Sequence, residues 1–230
     1  EECIKTNIGG AQNVIKAARE TNVTNVVALS TDKACAPVNL YGATKLTSDK
    51  LFIAANNNSS KIKYSVVRYG NVMNSNGSVI PFFLKQKTSG ILTVTDKEMT
   101  RFNITLNEGV NMVLFALENA WGGELFVPKI PSYNILDLAN AVDSNCEIKV
   151  IGIRPGEKIH EEMISSSDSY NTYDIGSYFV ILPTISNWKI SDFITKFKAK
   201  KVPLEFNYNS KENNKFLSIK ELKDLIYNHS

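Results

Sequence analysis

Two clusters of side chains in this sequence have the types and spacing needed to move protons. Ser30-Thr31-Asp32-Lys33 sets two hydroxyls, a carboxyl and an amine in succession, and Tyr41-Gly-Ala-Thr-Lys45 begins eight residues after Lys33. On a helix, positions i and i+4 share a face, so the phenol of Tyr41 and the ammonium of Lys45 point the same way. A cation beside a phenol favours phenolate, each pKa unit of depression representing about 1.4 kcal/mol. A tyrosine tuned in this way removes a proton from an alcohol while a nicotinamide accepts the hydride. Taken singly the motifs say little, since Thr-Asp-Lys is often a helix cap or surface turn and Y-x-x-x-K arises by chance in many helices. Their order and separation carry the argument.

The elements around them suit that chemistry. Residues 25–30 (NVVALS) form a short apolar run rich in β-branched residues, which fits a parallel strand buried on both faces. The strand ends at Ser30, and active sites in open parallel sheets lie beyond the carboxyl ends of the strands. Residues 5–20 place Ile8, Ala11, Val14, Ile15 and Ala18 at helical spacing. Residues 40–57 return to that spacing, and 64–70 (YSVVRYG) predict a second buried strand. Helix, strand, helix, strand argues for a doubly wound parallel sheet.

After residue 75 the pattern changes. Residues 79–87 predict a helix, and Thr105 with Glu108 makes a capping-box pattern before an apolar face of Val110, Val113, Leu114 and Leu117. GGELFVPKI predicts a strand, ILDLANAV a short helix, and Ser218 with Glu221 a second capping box. The expected fold class is α/β: a Rossmann-like doubly wound parallel sheet, lacking its first βαβ portion, with a smaller mixed α/β lobe. Residues 1–75 are expected to belong to the nucleotide-binding domain. Residues 76–230 are expected to build mainly the substrate lobe, with some elements returning to the first.

Composition excludes several classes. The chain has 230 residues, 43% hydrophobic and 21% charged, as in ordinary globular proteins and unlike disordered ones. A net charge of +3 gives no argument for nucleic acid or a membrane surface. Cys3, Cys35 and Cys146 form no C-x-x-C pair, so reduced thiols in the cytoplasm are expected, with no disulfide frame and no metal site. No apolar run approaches the ~18 residues of a membrane helix. The glycine loop G-x-G-x-x-G is absent, and Gly9-Gly10 lies inside a helical pattern with no strand before it. Either the chain is not a nucleotide enzyme, or it begins after that loop.

STDKACAPVNLYGATKLTSDKLF, residues 30–52, resembles the extended short-chain dehydrogenase/reductase family, and within it the inverting UDP-N-acetylglucosamine 4,6-dehydratases. RYGNV (68–72), MTRF (99–102), RPGEKIHEE (154–162) and KVPLEFNYNS (201–210) continue the resemblance over essentially the whole chain. Family members run further at the N-terminus, so the chain is expected to be the C-terminal two-thirds of such an enzyme. Relatives that retain configuration carry Met where this chain has Tyr41, which together with the C-terminal tail favours the pseudaminic acid branch.

The resemblance implies an NADP cofactor, with NAD not excluded, a UDP-sugar substrate and a homo-oligomer. It implies that Tyr41, helped by Lys45, takes the proton from the sugar 4-hydroxyl. Lys33 removes the C5 proton, Asp32 protonates the departing 6-hydroxyl, and Thr31 bonds the oxyanion at C4. Ser30, Asn7 and Val72 join Tyr41 and Lys45 at the cofactor, while Asn71 and Val79 meet the substrate. Arg101 and Arg154 are forked donors suited to the diphosphate, and Glu157 suits a ribose hydroxyl. His160 has no evident partner and is expected to be structural, and Trp121 and Trp188 to be core or interface aromatics. Two other readings stay open: a C4 or C5 epimerase on the same scaffold, which has no need of water elimination, and an inactive remnant.

Overall fold

A computed structural model describes residues 1–58, 61–73, 75 and 78–228. The chain divides into two compact units. The first comprises Glu1–Tyr69, Asn107–Lys129 and Glu162–Tyr208, and the second Gly70–Leu106, Ile130–Glu161 and Asn209–Ser230. The division thus falls at residue 69, and two later segments rejoin the first unit. Residue 76, where the second lobe is expected to start, lies outside the described residues.

In the first unit, helix α1 (Gly10–Arg19) leads to strand β1 (Asn25–Thr31), helix α2 (Leu40–Ala55) and strand β2 (Lys63–Tyr69). Residues Ile4–Gly9 precede α1 as a π-helical segment, so Gly9-Gly10 sits within continuous helix and opens no phosphate loop. β1 and β2 pair in parallel from Asn25 opposite Lys63 to Thr31 opposite Tyr69, and β2 pairs in parallel with Leu125–Pro128. Beyond that the six-stranded sheet turns antiparallel through Tyr178–Ile181, Thr172–Asp174 and Lys200–Lys201. The parallel sheet read from the helix–strand alternation is therefore present, with an antiparallel extension.

β2 is buried on both faces, as a central parallel strand must be. β1 is not: it lies at the sheet edge, and Leu29 is half exposed. Tyr64 packs with Phe52 of α2 on one side of β2. On the other side Val67 joins Met112, Ala116, Phe126, Val180 and Phe193. Helix Leu106–Asn119 contributes Gly109, Met112 and Ala116 to the interior and leaves Val110 and Leu114 exposed. The apolar face predicted for it is thus rotated toward Gly109, Met112 and Ala116, while Val113 still packs in part against the core. Trp121 and Trp188 meet edge to face at 5.4 Å beside Phe193, and the Trp188 indole N–H donates to the Gly122 carbonyl.

Glu124 is fully buried among these groups. Its two carboxylate oxygens accept the N–H groups of Trp121 and Gly122, which no apolar side chain could satisfy. Burial pushes its carboxyl up, against the two N–H bonds and Lys63. Because the folded state holds the proton more tightly, this contribution to stability is greatest below the ordinary carboxylate range. It is lost as pH rises through the raised value. Glu124→Gln should remove that slope and cost about 1–3 kcal/mol, since an amide NH₂ must face one of the two N–H groups. Urea unfolding of both proteins across pH tests this; coincident midpoints would contradict it.

The second unit holds a three-stranded sheet. Asn71–Val72 pairs in parallel with Thr100–Ile104, which pairs antiparallel with Ser132–Asn134. A parallel pair, Ile91–Val94 with Glu147–Val150, lies nearby in the same unit. Helices Val79–Gln86, Ile135–Val142 and Ile219–Asn228 enclose a core of Phe83, Leu92, Met99, Tyr133, Leu138 and Leu222. The capping box at Ser218 forms as its sequence predicts: Ser218 N–H and hydroxyl both donate to Glu221, whose own N–H returns to the Ser218 hydroxyl.

Candidate active site

The carboxyl end of β1 turns sharply. Thr31 caps a short 3₁₀ turn, Asp32–Ala34, its hydroxyl accepting the Lys33 N–H at 3.3 Å. This turn buries Asp32 completely. One oxygen of Asp32, Oδ1, accepts the Thr31 hydroxyl at 2.9 Å and the Lys33 ammonium at 3.0 Å. The other, Oδ2, is buried and has no hydrogen-bond partner among the described residues. A fully buried carboxyl with an unsatisfied oxygen is costly and marks a place where chemistry is expected. Lys33 is only partly covered, its side chain 39% exposed, so the amine links a hidden carboxyl to the outside.

Helix α2 brings the second cluster against this turn. Asn39 caps it, its side chain accepting the Gly42 N–H at 2.8 Å. The connecting segment holds Ala36 at a φ of +41°, a conformation that costs a non-glycine residue about 1–3 kcal/mol and is common near functional sites. Tyr41 stands at the start of α2 and is 42% exposed, with no hydrogen bond to its phenol oxygen among the described residues. Lys45, one turn on, donates its ammonium to the Leu29 carbonyl at 2.7 Å. Lys45 therefore grips the strand end instead of bonding the phenol directly, though both stand on one face of α2. Asn7 donates to the Thr44 hydroxyl, which donates to the Tyr41 carbonyl, so Asn7 braces the first turn of α2. Asn7 and Lys45 also line a hollow of about 270 Å³ with Val26–Leu29.

Gly42 makes this arrangement possible. A Cβ there would fall 2.2 Å from the Lys33 carbonyl oxygen and 2.9 Å from Pro37 Cβ. Only the absence of a side chain lets α2 approach the Asp32–Lys33 turn so closely. Gly42→Ala must push the helix and turn apart, and a misplacement of ~1 Å costs roughly 10²-fold in rate. The expected result is a folded protein with normal far-UV circular dichroism and about 10²-fold lower kcat. Activity within threefold of wild type would count against this close approach.

The structure changes the expectation for Ser30. Its hydroxyl is buried and donates to Asp49 Oδ2 at 2.7 Å, so it is turned inward to α2. Asp49 also pairs with Arg68, with Nη2 3.2 Å from the same oxygen. Arg68 is itself buried, and its Nη1 donates to the Met163 carbonyl at 2.9 Å. Burial pushes the Asp49 carboxyl up, opposed by Arg68, the Ser30 hydroxyl and Lys45. Asp49 and Gly42 were missed as site residues at the sequence level. Asp49 had a signal, because it continues the i+4 ladder of Tyr41 and Lys45.

The remaining candidates lie in the second unit. Asn71 and Val72 pair with Asn103 and Ile104, and both are half-buried. Val79 opens helix Val79–Gln86 and packs against the core of that unit. Arg101, expected to be a phosphate donor, is largely engaged by its own chain. It is 7% exposed, and its guanidinium donates to the carbonyls of Thr100, Lys158 and Ile159. Glu157 and Glu161 flank it at 3.7 Å each. Its donors are taken up in organising the 157–161 segment and do not form an open phosphate fork. Glu157 is likewise engaged, by Arg101 and by the Arg154 N–H. Arg154 is exposed at the head of that turn. His160 does have a partner, Thr100, whose hydroxyl lies 2.8 Å from Nδ1 and 2.7 Å from the Ser210 hydroxyl.

Among the described residues no group of acidic, His or Cys side chains is arranged to hold a metal ion, and no helix is long and apolar enough to cross a membrane. The three thiols are unpaired with one another.

Comparison with known proteins places these features in context. Residues 1–183 match the family described as polysaccharide biosynthesis protein. The chain is 53% identical to a UDP-N-acetylglucosamine 4,6-dehydratase (inverting) of Campylobacter jejuni, covering 100% of this chain and 71% of that protein. It is 40% identical to a UDP-glucose 4-epimerase of Rickettsia bellii, covering 99% of this chain and 68% of the relative. Among solved structures, Pen from Bacillus thuringiensis is similar with a TM-score of 0.86 and 38% identity, covering 98% of this chain and 69% of that one.

Proposed function

As the chain belongs to the polysaccharide biosynthesis protein family, we propose that it carries the catalytic centre of a nucleotide-sugar 4,6-dehydratase. The reaction is the inverting elimination of water from UDP-N-acetylglucosamine, giving a 4-keto-6-deoxy sugar of the L-arabino configuration. The single observation that carries the reading is the buried Asp32 carboxyl 3.0 Å from the Lys33 amine. Elimination needs a base at C5 and an acid at the 6-hydroxyl, whereas simple C4 epimerisation needs neither. The 53% identity to an inverting dehydratase, against 40% to an epimerase, supports the same choice.

The residues fit a nicotinamide cofactor. A lysine anchored at the strand end, a phenol open to the outside and the asparagine-braced start of α2 are the donors such a group requires. Tyr41 and Lys45 would hold it, with Val72 assigned by resemblance, and NADP is the form we assign. When bound, it supplies the reversible hydride sink at C4 and the return of hydride to C6. The chain moves the protons of the oxidation and the elimination. Tyr41 Oη takes the proton of the 4-hydroxyl. Shifting one proton from Lys33 Nζ to Asp32 Oδ1, already in contact, yields a neutral amine and a protonated carboxyl together. The amine then removes the C5 proton beside the 4-ketone, and the carboxyl donates to the departing 6-hydroxyl as water leaves. C5 regains a proton from solvent on the face opposite Lys33, which inverts the centre, and Tyr41 releases its proton to solvent, so the protons balance. Thr31, which donates to Asp32, orients that carboxyl and is available to the C4 oxygen. Asn71, Val79 and Arg154 are assigned to the substrate on the resemblance of their motifs. Arg101 and Glu157 support Arg154 by ordering its loop. A cytoplasmic homo-oligomer in the pseudaminic acid branch completes the reading.

The test is to express the whole reading frame, incubate the protein with UDP-N-acetylglucosamine and follow the sugar by NMR. A 4-keto-6-deoxy product inverted at C5 is expected. A C4 or C5 epimer that keeps its 6-hydroxyl would establish the epimerase instead, and an unchanged sugar the inactive remnant.

A further inference from the structure

Ser30 and Arg68 stand directly opposite one another in the parallel register of β1 and β2. Both bond the same oxygen of Asp49 on α2, at 2.7 and 3.2 Å. Arg68 reaches on to the Met163 carbonyl, and its Nη1 lies 3.9 Å from Asp168. All three side chains are almost fully buried, Ser30 at 5%, Asp49 at 2% and Arg68 at 3% exposure. Asp49 thus joins the penultimate residues of two strands to the helix that carries Tyr41 and Lys45, two turns and one turn upstream on the same face.

A buried ion pair is weak evidence for stability, because desolvation offsets its attraction and an apolar pair often serves as well. Its retention needs another reason, and its position supplies one. Ser30 is the residue immediately before Thr31-Asp32-Lys33, so its single bond to Asp49 fixes where the acid–base turn leaves the strand. Gly42 sets how near α2 comes, and Asp49 sets the register along it. We propose that Asp49, held by Arg68, is a positioning residue for catalysis: through Ser30 it aligns the Asp32–Lys33 pair with Tyr41 and Lys45. The inference rests on the dehydratase reading above and adds to it a residue that touches neither sugar nor cofactor.

The test uses the protein expressed from its whole reading frame. Ser30→Ala removes one hydroxyl and leaves the ion pair intact. Its expected signature is a fall in kcat of about 10- to 100-fold, with KM for the UDP-sugar within threefold and the melting temperature nearly unchanged. Ser30→Thr, which keeps the hydroxyl, should restore kcat to within threefold. The double variant Asp49→Leu/Arg68→Met replaces the pair with apolar groups of similar bulk. It should fold and show the same kcat loss. Wild-type kcat in Ser30→Ala or in the folded double variant overturns the proposal. So does a loss that appears in KM alone, or one that Ser30→Thr fails to rescue. Absence of dehydratase turnover in the wild type would sink the underlying reading, and this inference with it. Normal wild-type turnover with unaffected variants sinks only the positioning role.

Discussion

Phenylalanine at position 41 should leave the protein folded and lower turnover by roughly 10²- to 10⁴-fold, the usual contribution of a well-placed proton-transfer group. The fold should survive because Tyr41 is 42% exposed and its phenol oxygen holds no hydrogen bond among the described residues. Truncating it therefore leaves no buried partner unsatisfied. What is lost is the phenol to which the proposed mechanism assigns the 4-hydroxyl proton as hydride departs. In a single turnover, wild type should reduce bound cofactor, seen as nicotinamide absorbance, and Tyr41→Phe should not. Normal reduction in the variant would remove Tyr41 from the role and leave the open phenol without one.

Lys33→Ala should have the second large effect, and on a different step. Loss of the amine should abolish exchange of the C5 hydrogen into deuterated water, with product formation falling by about 10²- to 10⁴-fold. Cofactor reduction should persist, since Tyr41 and Lys45 are untouched. The alanine variant also strips the buried Asp32 of its cation, 3.0 Å away in the wild type, so its stability is expected to drop. Lys33→Arg separates the two effects. The guanidinium keeps a positive charge beside Asp32 but cannot lose its proton, so stability should be retained and exchange lost. Rapid C5 exchange in either variant would rule Lys33 out as the base. Because Tyr41→Phe stops the reaction before C5 is acidified and Lys33→Ala after it, the pair of variants dissects the order of events.

The two motifs were legible in the sequence because both are local. Thr31-Asp32-Lys33 caps its own turn through bonds spanning one or two residues. The Tyr41–Lys45 face follows from helical periodicity alone, and α2 indeed spans Leu40–Ala55. Local spacing is a poor guide to which donors stay available. Arg101 has the residue type for a phosphate fork, yet folding spends its N–H groups on three carbonyls 57 and 58 residues away and next door. Ser30 has the hydroxyl and the strand-end position expected of a cofactor contact, yet points inward to Asp49. His160 was given no partner because Thr100 stands 60 residues distant in sequence.

What the sequence determined by itself is the set of reactive groups and the short segments that present them. Hydrophobic periodicity and capping fix those through interactions within a few residues. What only the tertiary structure decided is how close the segments come and which polar groups are consumed in holding them there. The approach of α2 to the Asp32 turn depends on Gly42 meeting the Lys33 carbonyl, and the register depends on Asp49 meeting Ser30 and Arg68 across two strands. Contacts of that kind are set by burial and packing between elements distant along the chain, and residue spacing carries no record of them.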